Sequence, residues 1–186
     1  MNPLTGLPGN IIIDRVLNDT ISYGREFCVL YFDLNNFKVY NDTYGFENGD
    51  KVIKFTANCI QNQINSSTTY NGFVGHVGGD DFVCVVETGY ENCTDICKDF
   101  ISVFDKEILN FFSEEDREKG YVIASDRNGS KNMFGLTSIA IAGIYGKFNS
   151  FSNSSEISKS VAAVKKEVKK EKKSHYIIKG IDVSSE

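Results

Sequence analysis

The 186-residue sequence has no apolar run of about 18 residues, the length that a membrane-spanning helix requires. Its first residues also lack the basic and then apolar pattern of a secretory leader. We therefore expect a cytoplasmic chain with no direct membrane insertion.

Histidine and cysteine are too scarce and too scattered to suggest a zinc site. The two histidines lie far along the chain from Cys93 and Cys97, which are one helical turn apart. The five cysteines are an odd number, and most of them fall in apolar or helical patterns. This usage predicts a reduced chain that needs no disulfide.

Positive charge is in deficit over most of the chain. The formal net charge is −5 and the isoelectric point is near 5.1, which argues against nucleic-acid binding through a positive face. The exception is the segment 165–173, which holds six lysines and two glutamates. A lysine-rich helix is either a solvated face or a clamp for phosphate groups, and the pattern leaves both open.

The remaining composition is typical of one globular domain over 1–186. Hydrophobic residues make up 41% of the chain and charged residues 24%, and the length suffices to bury about two thirds of the unfolded surface. Strand and helix patterns mix, with both hairpins and a crossover, which predicts an α/β or α+β fold around a mixed central sheet. Residues 180–186 are expected to form a disordered tail.

Hydrophobic periodicity gives the expected elements. Helices are predicted over 11–23, 50–64, 95–112 and 157–172. Strands are predicted over 27–32, 73–77, 82–86, 121–124, 133–137, 136–144 and 175–178. The stretch 40–50 is rich in turn formers and aromatic residues, and it predicts a structured loop with Asp50 as the N-cap of the next helix.

The stretch Val77 to Val83 places two glycines and two acids inside an otherwise apolar run. Gly78 and Gly79 predict a hairpin turn, since glycine tolerates positive φ and lets a ligand phosphate approach the backbone. Asp80 and Asp81 are unfavourable beside buried strands, which suggests a cation nearby. A solvated hairpin tip is the simpler alternative.

Another acid follows a buried strand. The apolar run 27–32 leads into Asp33, and the ends of such strands are where open α/β sheets bind ligands. Asp33 either supplies a hard oxygen to Mg²⁺ or caps the helix that begins at Asn36.

With these residues in view, the chain resembles the GGDEF domain of diguanylate cyclases, which condense two GTP molecules into cyclic di-GMP. The resemblance covers nearly the whole chain and depends on motifs that occur in the family's order. In chain order, these motifs are residues 3–8 of an entrance motif (1–10), residues 32–38 at the end of the first strand, residues 41–45 together with 49–50, the signature at 78–82, and the C-terminal lysines. The resemblance implies a palm-like mixed sheet flanked by helices, related to adenylyl cyclase and polymerase palm domains.

The resemblance also implies a metal site and catalytic residues. Asp33, Asp80 and the Leu34 carbonyl match the family's ligands for Mg²⁺ or Mn²⁺. Asp80 also matches the residue that deprotonates the attacking 3′-hydroxyl. Lys38 matches a residue that stabilises the transition state, and Asp81 matches a position that helps to hold a second metal.

Nucleotide contacts follow from the same resemblance. Asn41 and Asp50 match residues that recognise guanine, whose N1 and exocyclic amine donate to a carboxylate. Adenine offers no such pair of donors, so Asp50 favours GTP over ATP. Lys169 and Lys173, expected one turn apart on the last helix, match the cations that hold the β- and γ-phosphates.

Several site positions depart from the family pattern. Asp81 is one methylene shorter than the usual Glu, which changes its reach by about 1.5 Å and is expected to lower activity. Phe46 stands where the family has a substrate-contacting His, and a phenyl ring still packs beside a base. His76 replaces a common Arg, and Asn35 replaces an Asp.

The entrance motif and the region before the signature depart as well. Asn2 replaces an Asp and Gly9-Asn10 replaces Asn-Arg, so a salt bridge common in the family is expected to be absent. The family's allosteric product site needs Arg-x-x-Asp, where this chain has Thr-Tyr-Asn-Gly at 69–72. Product inhibition through that site is therefore not expected.

The resemblance implies a diguanylate cyclase that works as a pair of copies. Each copy binds one GTP, and each 3′-hydroxyl attacks the α-phosphate held by the other copy and releases pyrophosphate. The alternative is a weak or inactive relative that binds GTP or a protein partner and regulates an attached domain. Because such domains usually follow a sensory or dimerising module, the chain is expected to be a fragment of a longer protein.

Overall fold

The computed structural model describes residues 1–66 and 72–181. The strands within these ranges are β1 (Glu26–Asn35), β2 (Gly72–Gly78), β3 (Asp81–Val86), β4 (Tyr121–Ser125), β5 (Lys131–Gly135), β6 (Ser138–Lys147) and β7 (His175–Gly180). One sheet has the order β2-β3-β1-β6-β7, and a separate hairpin contains β4 and β5. Since β6 and β7 are parallel and the other neighbours antiparallel, the predicted mixed central sheet is confirmed.

Helices cover both faces of this sheet. They are α1 (Asn10–Tyr23), α2 (Phe37–Tyr44), α3 (Phe46–Asn65), α4 (Tyr90–Glu107), α5 (Glu114–Lys119) and α6 (Ser154–Val168), with a 3₁₀ turn at Ile108–Phe111. One apolar core lies between the sheet and α3 and α4, and the other lies between the sheet and α1 and α6. Among the described residues, each helix is too short or too polar to cross a membrane.

Strand β1 is the centre of both cores. Cys28, Leu30 and Phe32 point to the face covered by α3 and α4. Phe27 and Val29 point to the face covered by α1 and α6. Successive side chains of a strand alternate between faces, so an uninterrupted apolar run fits a strand that is buried on both sides.

The region predicted as a structured loop, 40–50, is helical instead. It contains the end of α2 and the beginning of α3, and Gly45 separates the two helices at a φ of +88°. Asp50 lies inside α3 and is not its N-cap. Asp33 does not cap α2 either, because it belongs to β1 and Asn36 occupies the N-cap position.

Several helix boundaries differ from the prediction, including the end of α4 at Glu107 and the start of α6 at Ser154. Helix α4 begins at Tyr90, five residues before the predicted start at 95. Helix α3 runs to Asn65, so it includes the first residues of the polar stretch that follows its apolar positions. Helix α6 ends at Val168 rather than at 172, which leaves Lys173 outside the helix.

The prediction of a chain without disulfides is wrong for one pair. The structure joins Cys28 of β1 to Cys93 of α4, whose Cα atoms are 6.4 Å apart. The pair forms because α4 packs directly on the face of β1 that carries Cys28. Cys59, Cys84 and Cys97 are buried thiols, and burial raises the pKa of Cys59 to about 12.

Two predictions fall largely outside the described residues. Of the four residues at 69–72 that replace the product-site pattern, Gly72 is described and begins β2. Of the predicted disordered tail 180–186, Gly180 is the last residue of β7, and the amide of Ile181 donates to the carbonyl of Tyr145 at 2.9 Å. The remaining residues of both stretches are not described.

Candidate active site

Three carboxylates meet where β1 and β3 lie side by side. Asp33 of β1 is directly opposite Asp81 of β3 in the antiparallel register, and Asp80 lies in the turn just before β3. One carboxylate oxygen from each residue lies within 4.8 Å of the others. The structure thus brings together Asp33 and Asp80, the two side chains predicted to share a metal ion.

The signature turn is possible because of its two glycines. Gly78 and Gly79 have φ angles of +151° and +52°, which residues with a Cβ rarely adopt. Neither glycine has another group within 4 Å of the place where a Cβ would stand. The turn therefore presents bare backbone next to Asp80, as the sequence predicted.

Two lysines of the last helix contact the carboxylates. Lys165 Nζ is 3.4 Å from Asp33 Oδ2 and 3.4 Å from Asp81 Oδ1. Lys169 Nζ is 3.2 Å from Asp33 Oδ2 and 3.3 Å from the Leu34 carbonyl oxygen. Lys165 was not among the predicted site residues, although its spacing of four from Lys169 places both on one helical face.

Lys169 is also held by a buried amide. The Asn35 side chain accepts from Lys169 Nζ at 2.8 Å and donates to the hydroxyl of Ser138 at 2.9 Å. That hydroxyl donates in turn to the Lys172 carbonyl at 2.7 Å. Asn35 is fully buried, so the network fixes the beginning of the segment after α6 against the strands that carry the carboxylates.

A cavity of about 250 Å³ lies beside the signature turn. Its wall contains Asn41, Phe46 and Asp50, the three residues predicted to surround a guanine base. The wall also includes residues of the entrance motif and of the signature hairpin, namely Asn2, Pro3, Leu4, His76 and Gly79. The structure thus brings together the predicted base-binding residues, and Gly79 separates them from the carboxylates.

Asn41, Asp50 and Phe46 of this wall differ in accessibility. Asn41 Oδ1 is buried and has no hydrogen-bond partner among the described residues. The same oxygen packs against Gly49, where a Cβ would overlap it. Asp50 is exposed on α3, and the ring of Phe46 is 75% exposed. Asp50 and Phe46 are therefore accessible to a ligand that offers hydrogen-bond donors and an aromatic face, whereas Asn41 Oδ1 must become exposed before a ligand can reach it.

His76 connects the entrance motif to the signature turn. Its Nδ1 is 3.0 Å from the hydroxyl oxygen of Thr5, and its Nε2 is 2.9 Å from the carbonyl oxygen of Gly79. The side chain of Asn2 accepts from the backbone amides of Leu4 and Thr5. Among the described residues, no ion pair includes a residue of the segment 1–10. The contacts that fasten this segment are therefore hydrogen bonds rather than the salt bridge common in the family.

The family model for the diguanylate cyclase GGDEF domain matches residues 1–125. The chain belongs to the GGDEF family. Among curated relatives, this GGDEF chain is 34% identical over 88 residues to the bifunctional diguanylate cyclase/cyclic di-GMP phosphodiesterase MucR of Pseudomonas aeruginosa. It is 32% identical over 97 residues to the signaling protein YkoW of Bacillus subtilis. The matches cover 45% and 50% of this chain, which spans 12% of each relative's length.

The fold of the GGDEF chain is also that of solved GGDEF domains. The crystal structure of the GGDEF domain of DgcB from Caulobacter crescentus, in complex with c-di-GMP, superposes with a TM-score of 0.66. The alignment covers 95% of this chain and 94% of that one at 18% sequence identity. The palm-like architecture implied by the sequence resemblance is therefore confirmed.

The residues of this GGDEF domain fit a divalent cation. Carboxylate and carbonyl oxygens are the ligands that Mg²⁺ prefers, and Asp33, Asp80, Asp81 and Leu34 offer them in one place. Burial and the nearby Asp33 raise the pKa of Asp80, and the same two causes raise the pKa of Asp81 to about 6. Burial lowers the pKa of Lys165, whereas the negative charges of Asp81 and Asp33 raise it. The net effect is a raised pKa. The raised pKa values of Asp80 and Asp81 reflect burial and repulsion between neighbouring carboxylates, and a bound cation would relieve that repulsion.

Two predicted residues lie away from the carboxylates of the GGDEF domain. Lys173 follows the end of α6, is 78% exposed and has its Nζ 3.7 Å from Glu171 Oε2. Lys38 is exposed in the first turn of α2 and has no ion pair among the described residues. The structure therefore does not bring either ammonium group to the cluster, and their roles stay predictions.

Proposed function

We propose that this GGDEF domain is a diguanylate cyclase that condenses two GTP molecules into cyclic di-GMP and releases pyrophosphate. The observation that supports the proposal best is that the carboxylate cluster and the cavity both include residues of the signature turn. Asp80 belongs to the cluster and Gly79, the residue before it, lines the cavity, so the two regions are adjacent. One nucleotide can therefore place its base in the cavity and its phosphates at the carboxylates.

The cavity would select the base. Asp50 and Asn41 line the cavity, and in this proposal Asp50 would accept from N1 and the exocyclic amine of guanine while Asn41 would add a second polar contact. The exposed ring of Phe46 would pack beside the base at the mouth of the cavity. ATP lacks the paired donors, so GTP is the substrate that these residues favour.

The cluster would bind the metal and the phosphates. Asp33, Asp80 and the Leu34 carbonyl would hold Mg²⁺ or Mn²⁺, which supplies charge neutralisation and a lower pKa for the attacking hydroxyl. Asp80 would also accept the proton of the 3′-hydroxyl, the role that its position in the signature implies. Lys169 would contact phosphate oxygens. Lys173 and Lys38 would do so as well once their side chains turn toward the bound triphosphate.

The proposed reaction needs a second copy of the chain as partner. Each copy provides one bound GTP, and both nucleotides must face each other so that each 3′-hydroxyl reaches the other α-phosphate. The bare backbone of Gly78 and Gly79 lets the triphosphate approach the turn without a side chain in the way. We propose that the domain works as such a pair within a longer protein.

A second candidate is a GGDEF module that binds GTP without turnover. It is favoured by Lys165, whose ammonium lies between Asp33 and Asp81, and by the short reach of Asp81. In this case the domain would regulate an attached domain through GTP or a protein partner.

One experiment separates the two candidates. The purified chain is incubated at high concentration with GTP and Mg²⁺, and cyclic di-GMP is quantified by mass spectrometry. We expect product from the wild-type chain and none above background from Asp80→Asn. GTP binding by calorimetry with no product at any protein concentration would support the second candidate, and absence of GTP binding would reject both.

A further inference from the structure

His76 has one defined position in the structure. Its side chain is only 3% exposed, and its ring stacks on Phe82 with centroids 4.5 Å apart and planes 18° apart. Its backbone amide donates to the Pro8 carbonyl at 2.9 Å. Both ring nitrogens have a partner, Thr5 on one side and Gly79 on the other. A buried imidazole with both nitrogens bonded has little freedom to rotate.

The two partners assign the tautomer of the ring. The Gly79 carbonyl oxygen only accepts hydrogen bonds, so His76 Nε2 carries a hydrogen and donates it. Nδ1 then accepts from the hydroxyl of Thr5, whose oxygen also accepts from the Leu7 amide at 3.4 Å. With this assignment each polar atom of the link has a matching partner.

The link continues from Gly79 to the carboxylate of Asp80. The Gly79 carbonyl and the Asp80 amide belong to one planar trans peptide group and point in opposite directions. Fixing the carbonyl at His76 therefore fixes the direction of the Asp80 amide and the approach of the backbone to the Asp80 Cα, from which the carboxylate extends. Gly79 has no Cβ and a φ of +52°, and Gly78 pairs with Asp81 across the turn, so the contact with His76 adds a side-chain anchor at the peptide between them.

We propose that His76 is a positioning residue. Its Nε2–H bond to the Gly79 carbonyl sets the orientation of Asp80, and its contact with Thr5 ties the signature turn to the wall of the cavity. The proposal rests on the proposed function, in which Asp80 holds the metal and accepts a proton. Thr5 belongs to the same entrance motif as Asn2 and Leu4, which line the cavity. One side chain thus connects the region for the base with the region for the phosphates.

Two amide variants test each half of the link separately. His76→Gln places an amide nitrogen near the position of Nε2 and keeps a donor for Gly79, whereas His76→Asn places its amide near Nδ1 and keeps only the Thr5 contact. We expect His76→Asn to lower kcat about tenfold with the KM for GTP within about twofold, because a misplaced Asp80 slows the chemical step. We expect His76→Gln to keep kcat within about threefold of wild type.

A readout without turnover distinguishes this proposal from the proposed function. Mn²⁺ affinity, measured by electron paramagnetic resonance without nucleotide, is expected to fall severalfold in His76→Asn and to stay near wild type in His76→Gln. If the wild-type chain made no cyclic di-GMP but the two variants differed in this way, only the proposed function would fail. Equal Mn²⁺ affinity and equal kcat in both variants would overturn the positioning role.

The tautomer gives a test that needs no variant. Nitrogen chemical shifts and couplings of the His76 ring in the ¹⁵N-labelled wild-type chain report which nitrogen carries the hydrogen. We expect the Nε2–H form at neutral pH. A ring with its hydrogen on Nδ1 cannot donate to Gly79, and this result would overturn the proposal even if His76→Asn failed to fold.

Discussion

The carboxylate cluster and the cavity meet at the signature turn, yet they satisfy their polar groups in opposite ways. At the cluster, Asp33 and Asp81 already contact the ammonium groups of Lys165 and Lys169. In the cavity, Asn41 Oδ1 has no partner among the described residues. If a nucleotide and its metal bind as proposed, binding at the cluster would exchange cations, whereas binding in the cavity would add hydrogen bonds that the free chain lacks.

This difference suggests which region provides affinity and which provides selectivity. Replacing a lysine contact with a metal contact gives a small net free energy, because the carboxylates have a cationic partner both before and after the ligand binds. New hydrogen bonds to an unpaired buried acceptor give more per contact, and they depend on the shape of the base. The cluster should then determine turnover, and the cavity should determine which nucleotide binds.

The largest expected effect comes from removing the carboxylate at the centre of the cluster. Asp33→Asn removes a charge that contacts both lysines and lies within the three-carboxylate group. We expect cyclic di-GMP formation to fall on the order of 10²-fold. GTP affinity should change much less, because the cavity is intact. The matched control is Asp95→Asn, an exposed acid on α4. A similar loss in both variants would contradict the role of the cluster.

The second test removes the charge from the cavity. Asp50→Asn replaces an acceptor with a group that also donates, and we expect GTP affinity to fall about tenfold or more while ATP binding changes little. Calorimetry with a slowly hydrolysed analogue of each nucleotide measures both. Asp42→Asn on α2 changes the same charge at another exposed position and should leave the affinities unchanged. Equal losses for GTP and ATP would reject selection by Asp50.

A third test changes the shape of the cavity without touching a charge. In Gly49→Ala, the new methyl group would overlap Asn41 Oδ1 and push the amide out of place. We expect a loss of about 1 to 2 kcal/mol in the free energy of unfolding and a severalfold weaker binding of GTP. Gly9→Ala adds a methyl where nothing lies within 4 Å, and it serves as control in the same denaturation and binding assays. An unchanged GTP affinity in Gly49→Ala would show that Asn41 does not contact the base.

The smallest effect is expected from Lys165→Met, which tests the exchange of cations. Without its ammonium group, Asp33 and Asp81 lose a partner, and the metal-free chain should become less stable by about 1 kcal/mol or less. Mg²⁺ should bind more tightly, because it no longer competes with the lysine. Thermal unfolding with and without Mg²⁺ measures both changes, with the exposed Lys166→Met as control. Weaker Mg²⁺ binding in Lys165→Met would contradict the exchange.

Much of the fold and of the carboxylate cluster was predictable from the sequence. The uninterrupted apolar run at 27–32 identified a central strand, and two adjacent glycines identified the turn next to Asp80. These predictions succeed because strand burial and positive φ depend on a few neighbouring residues. The convergence of Asp33 with Asp80 followed from the family resemblance, and their carboxylate oxygens lie within 4.8 Å of each other in the structure.

The failures have separate physical causes. The stretch 40–50 contains turn formers, yet Tyr40 is buried and its ring stacks on Tyr44 at 4.8 Å between centroids, which stabilises helix there. The end of α6 was misjudged because the lysines and glutamates that follow it are good helix formers. The role of His76 was missed because its partner Thr5 lies 71 residues away.

The position of α6 has a consequence for the order in which the site is assembled. In the sequence, α6 follows β6 and precedes β7. Lys165 and Lys169 therefore come long after the three carboxylates along the chain. During translation, Asp33, Asp80 and Asp81 therefore leave the ribosome well before Lys165 and Lys169, whose positive charges they contact in the folded domain. Until α6 and β7 are synthesised and β7 docks beside β6, the three acids lack these countercharges, so the lysine contacts of the site form only after this later part of the domain is made.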